Sequence, residues 1–198
     1  MKKYFILGFL LVGFVLSPYL VNAGYSPVHS NAAQGFNFLR RVFSPIVFRE
    51  VDSLNNVLVS EIMAGKSDNA SYEFVELYNP TSELIDLTGW SVKKKSSTGV
   101  ESTLVSESRL NGKIIPANKH FLLARENWYD GPVVADVLWA SSNSLAYENN
   151  SVVIYNADDE LMEEIAWTEI PADKSYKRIS LNNILFRVAN NPKPQNSQ

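Results

Sequence analysis

The sequence predicts an all-β domain, a sandwich or barrel of short strands, and three observations carry that prediction. Aromatic residues make up 12% of the chain and stand beside β-branched ones, a mixture that suits strands better than helices. Roughly eight short apolar runs are separated by turn signals such as Asn79-Pro80, Thr88-Gly89 and Asn111-Gly112. No stretch alternates strands with long helical segments, which argues against a parallel α/β sheet.

The first element is a targeting segment. Lys2 and Lys3 give a positive end, Tyr4 to Leu16 an apolar run, and Val21-Asn22-Ala23 a small-residue exit before Gly24. That is the layout of a signal peptide, residues 1–23. A spanning helix needs about 20 apolar residues, and Ser17-Pro18 interrupts this run. The expectation is therefore a secreted or extracytoplasmic protein, with an uncleaved membrane anchor as the alternative. Residues 24–56 form a spacer. Its first part is small and polar, and Phe36 to Val51 is apolar with three arginines and Pro45. This second part is expected to pack on the neighbouring domain, or else to lie on a membrane surface.

The domain proper is expected over 57–168. Val57 to Ile62 is an apolar run, and Glu73 to Tyr78 a strand closed by Asn79-Pro80. Leu84 to Leu87 comes next, and Thr88-Gly89 turns the chain into Trp90-Ser91-Val92, where Trp90 and Val92 share a face. Thr103 to Val105, Ile114-Ile115, His120 to Ala124 and the extended stretch Val133 to Trp139 come after it. Ser151 to Tyr155 and Leu161 to Trp167 make a hairpin around Asn156 to Glu160. The expected core is Val59, Ile62, Val75, Leu77, Leu87, Trp90, Val92, Ile115, Phe121, Leu123, Val137, Val152, Ile154 and Ile165. Residues 169–198 read as an extension with a proline-rich end.

The order Glu73-Phe74-Val75-Glu76-Leu77-Tyr78-Asn79, then Asp86-Leu87-Thr88-Gly89-Trp90-Ser91-Val92, resembles the opening of the lamin tail domain. The likeness continues through Ile115-Pro116-Ala117, Phe121-Leu122-Leu123, Asp136-Val137-Leu138-Trp139 and Ser151-Val152-Val153-Ile154-Tyr155. Asn191-Pro192-Lys193-Pro194-Gln195-Asn196 is similar to the proline-rich ending of bacterial members. The resemblance implies an immunoglobulin-like β-sandwich and a binding or structural module in place of an enzyme.

The residues offer little chemistry. The chain has no cysteine, so disulfides, thiolate nucleophiles and the common structural zinc sites are absent. Residues 1–23 hold two of the 18 basic residues and none of the 21 acidic ones, so a cleaved chain carries a net charge of −5. That acidity argues against nucleic-acid binding. Glu73 and Glu76, three apart in a strand, point to opposite faces and form no dyad, and Glu76 is expected to face solvent. His120 reads as a strand-edge residue, and no Gly-x-Ser-x-Gly elbow accompanies it. Asp158, Asp159, Glu160, Glu163 and Glu164 crowd one hairpin without the spacing of a calcium loop. Lys93-Lys94-Lys95 reads as edge lysines that discourage strand addition. No catalytic, metal or cofactor site is expected. Trp128, Tyr129 and Trp139, in or beside loops, are the candidate ligand contacts, facing a protein, envelope or glycan partner. A carbohydrate or cell-wall adhesion module is the alternative, with a nucleic-acid accessory role behind it.

Overall fold

The computed structural model of the protein describes residues 56–181 and 184–198. The expected signal segment and the spacer up to residue 55 lie outside them. Strands β1 (Leu58–Met63), β2 (Phe74–Tyr78), β7 (His120–Arg125), β8 (Val137–Trp139), β11 (Ser175–Arg178) and β12 (Phe186–Ala189) build the larger sheet, in the order β12-β11-β1-β2-β7-β8. Neighbours are antiparallel except β7 and β8. A smaller antiparallel sheet runs β10 (Leu161–Glu169), β9 (Glu148–Tyr155), β4 (Ser91–Lys95), β5 (Glu101–Val105). Two short strands, β3 (Ile85–Asp86) and β6 (Ile114–Ile115), pair with each other, and one helical turn, α1 (Glu107–Leu110), precedes β6. Two antiparallel-rich sheets sharing one core make the immunoglobulin-like sandwich that the sequence predicts.

The core obeys strand parity. Val59, Ile62, Val75, Leu77, Phe121, Leu123 and Val137 turn inward from the larger sheet, and Val92, Val152, Ile154 and Ile165 from the smaller one. Leu87 and Ile115 close one end. Trp90 departs from the expectation: it is only partly buried at the margin of this cluster, because it stands in the turn that precedes β4. Gly89 makes that turn with φ of +81°, and an added Cβ would lie 2.9 Å from the Ala157 Cβ on the β9–β10 turn.

The 169–198 extension is built into the sandwich. β11 pairs with β1 (Ile62 opposite Tyr176), β12 pairs with β11, and Tyr176 stacks on Phe186. The lysine run is corrected too. β4 is an interior strand between β9 and β5, so Lys93-Lys94-Lys95 guards no edge. Lys93 and Lys95 reach the outer face, over the Tyr155 ring and to Glu164, while Lys94 turns the other way and donates to the Ser144 carbonyl.

A bulge between Val59 and Glu61 interrupts the pairing of β1 with β2. The Val59 N–H donates to Glu163 Oε2 at 2.6 Å and its carbonyl accepts from Arg178 Nε at 2.8 Å. Arg178 also pairs with Glu163, and its side chain is 1% exposed. The ion pair therefore joins β10 to the larger sheet at the place where β1 leaves its own backbone groups unpaired.

Candidate interaction surface

The segment between β7 and β8 folds back over the outer face of the larger sheet. Met63, Tyr72, Phe74, Leu122 and Ala124 form a second apolar cluster there, with Tyr129, Val133 and Ala135 packed against it. The three aromatic candidates part company on this scaffold. Trp128 stands out, 48% exposed. Tyr129 is half-buried, its ring 4.9 Å from that of Tyr72 and its hydroxyl donating to the Val133 carbonyl at 3.0 Å. Burial raises the Tyr129 phenol above its ordinary range. Trp139 is corrected as a surface contact: it is fully buried in the core, its indole N–H donating to the Asn143 carbonyl at 3.1 Å. It shares the inward parity of Val137, with Leu138 exposed between them.

The same outer face carries a row of carboxylates that the sequence reading set in solvent or passed over. Glu61 on β1 and Glu76 on β2 are both 0% exposed, and Asp136 stands just before β8. Glu76 is thus corrected from a solvent-facing residue: Phe74 and Tyr78 flank it on β2, and the chain's own tail covers it. That tail crosses the strands and offers every second amide. Lys193 N–H donates to Glu61 at 3.3 Å, Gln195 N–H to Glu76 at 2.5 Å, and Ser197 N–H to Asp136 at 3.1 Å. Each carboxylate has a second partner. Glu61 holds Ser175 and Lys177, Glu76 holds Ser60 and His120, and Asp136 accepts the Leu122 N–H. Pro194 is buried in this crossing, between the exposed Lys193 and Gln195. The signal for the row was present: Glu61 interrupts an apolar run, and Glu76 has the parity of two aromatics.

Ser60, Glu76 and His120 meet, yet their wiring is not that of a proton relay. Both the Ser60 hydroxyl and the Glu76 carboxylate face His120 Nδ1, at 3.4 and 2.8 Å, and Ser60 donates to Glu76 directly at 2.5 Å. The other ring nitrogen lies 3.3 Å from the Gln195 amide of the tail. A relay needs nucleophile and acid on opposite ring nitrogens. The group instead ties β1, β2 and β7 to the tail.

Glu73 lies on the opposite, inner side, as the parity of Val75 and Leu77 requires. It is 1% exposed, bonded to Arg125 at 2.9 Å and to the Leu145 N–H at 2.9 Å. Burial pushes its carboxyl up to about 7 against the pull of those two partners. A folded-state value above the ordinary 4.5 means that the folded protein holds the proton more tightly. Its contribution is therefore complete below about pH 4.5 and is lost as pH rises through about 7. Relative to Glu73→Gln, the wild type is expected to lose roughly 3 kcal/mol between pH 4 and 8. Urea titrations of both proteins across that range check it, and parallel pH profiles would contradict it.

The acidic hairpin does not converge. Glu163 turns inward to Arg178 and Glu164 outward to Lys95, while Glu160 bonds Asn156 beside the turn. Among the described residues no group of three potential metal ligands comes together. A search of curated proteins finds no match. A family model described as Lamin Tail Domain matches residues 50–169. It spans more than half of the chain, takes in β1 through β10, and agrees with the sandwich. The chain belongs to the lamin tail domain family, a non-catalytic immunoglobulin-like fold.

Proposed function

We propose that this chain is an exported, non-enzymatic interaction module whose partner is a protein or a component of the cell envelope. The observation that carries this reading is the placement of Trp128. It stands nearly half exposed on a loop whose neighbour, Tyr129, is anchored against Tyr72 and Phe74. A large aromatic held out by a rigid base is the side chain that dominates binding hot spots. The buried titratable groups support the non-enzymatic reading. Glu61, Glu73, Glu76 and Glu163 are each taken up by a hydrogen bond or ion pair inside the fold. The segment 1–23 supports export, and a mature protein that begins at Gly24 is the form to test.

The test is a capture experiment on the mature chain against its own envelope fraction, with Trp128→Ala alongside. Trp128→Ala is expected to change stability by less than about 0.5 kcal/mol and to lower capture about tenfold or more. Equal capture by both proteins would remove Trp128 from the interface. A glycan array read in parallel separates carbohydrate adhesion, which stacks sugars on an exposed indole, from protein binding.

A further inference from the structure

The tail that crosses the larger sheet has the properties of a bound peptide. Its grip combines main-chain amides with the side chains of Gln195, Asn196 and Ser197, which meet His120, the Val134 carbonyl and Asp136. Three alternate amides, of Lys193, Gln195 and Ser197, meet three carboxylates on successive parts of the sheet. Pro194 is the one residue of 191–198 that is buried; it and Pro192 border a cavity of about 230 Å³ with Met63, Lys66, Tyr72 and others. An extended chain advances roughly 6–7 Å over two residues, and strands lie about 4.8 Å apart. Alternate amides can therefore step from Glu61 on β1 to Glu76 on β2, and the third meets Asp136 on the far side of β7. Prolines at 192 and 194 have no N–H, so between 192 and 195 the only amide donors are Lys193 and Gln195, and both meet carboxylates. The carboxylates are charged acceptors for neutral amides, a strong kind of hydrogen bond.

The tail is joined to the fold by a simple hinge. Asn190 and Asn191, between the end of β12 and Pro192, are both exposed. A segment held by three amides, one buried proline and the side chains of Gln195, Asn196 and Ser197, on an exposed two-residue connection, can leave its site without disturbing the sandwich core. The groove it leaves then presents the same acceptors to any identical tail.

We propose that the outer face of the larger sheet is a peptide-binding groove that takes residues 192–198 of a second copy of this chain, so that two copies exchange tails. Closed exchange preserves every tail–groove contact and links the copies. In a single copy the tethered tail is present at high effective concentration, so it holds the groove at low protein concentration and exchange rises with concentration. This surface adjoins the Trp128 loop through Val134 and Asp136, and its test uses variants that leave Trp128 in place.

The experiment uses the full mature chain and a variant carrying Gln195→Pro and Ser197→Pro, which removes the amides that meet Glu76 and Asp136. In sedimentation equilibrium the wild type is expected to pass from monomer to dimer as concentration rises, and the variant to stay monomeric. The variant's vacated groove is expected to bind a labelled peptide of residues 190–198 about tenfold or more tighter than the wild type does. N-methylation of Gln195 in that peptide should abolish the binding. A wild type that stays monomeric throughout, or a folded variant that takes up no peptide, overturns the proposal. Should the variant fail to fold, a wild-type sample mixed from isotope-labelled and unlabelled chains decides the matter. Intermolecular contacts between the tail and Tyr72 support exchange, and a dimer without them refutes it.

Discussion

Arg178→Ala is expected to lower the stability of the domain by about 3–5 kcal/mol, the range for breaking one side of a buried ion pair. Three losses coincide. Glu163, whose carboxyl burial already pushes upward, loses the cation that opposes that push and is left to stay buried without its partner or to take up a proton. The Val59 carbonyl, left unpaired by the β1 bulge, loses the Arg178 donor. Stacking of the guanidinium on Phe186, 4.7 Å from the ring centre, goes as well. In many proteins a buried pair can be exchanged for apolar residues of similar size at no cost. Here that rescue is expected to fail. Arg178→Met with Glu163→Leu would leave both the N–H and the carbonyl of Val59 buried without partners, at about 1–3 kcal/mol for each. Urea denaturation of both variants is the measurement. A double variant as stable as the wild type would show that the bulge finds other partners.

Strand parity is why so much of the sandwich was legible. A period of two places Val75 and Leu77 inward on β2, Phe121 and Leu123 on β7, and Val152 and Ile154 on β9, and each is buried as that rule requires. The same rule marked Glu76 as a neighbour of Phe74 and Tyr78. Typical burial frequencies, which set glutamate in solvent, pointed the other way, and the tail's covering amides were invisible. Those amides belong to residues more than a hundred positions away in sequence, so no local pattern announces them. β11 and β12 were missed for a related reason. Ser175-Tyr176-Lys177-Arg178 is polar, and its inward residues are a tyrosine and an arginine, so the alternation does not register as hydrophobic. Local pattern shows which way a side chain turns. It does not show what comes to cover the face.

Trp139→Ala is expected to cost about 3–5 kcal/mol, a fall in Tm of roughly 10–15 °C for a domain of this size. Trp139 is the largest fully buried side chain among the described residues, and truncation leaves a cavity where β8 meets the core. It also removes the indole donor from the Asn143 carbonyl, in a loop that Asn143 anchors to the Leu104 carbonyl at 3.2 Å. Trp90→Ala is the control that gives the prediction its edge. Trp90 is partly exposed in a turn, so the smaller apolar area it hides should bring the loss down to roughly 2 kcal/mol. Sequence alone ranks these two tryptophans the other way round, with Trp90 in the core and Trp139 at the surface. Side-by-side thermal melts decide between the rankings: a Trp90→Ala loss equal to or greater than that of Trp139→Ala would mean that the inward parity of β8 is misassigned.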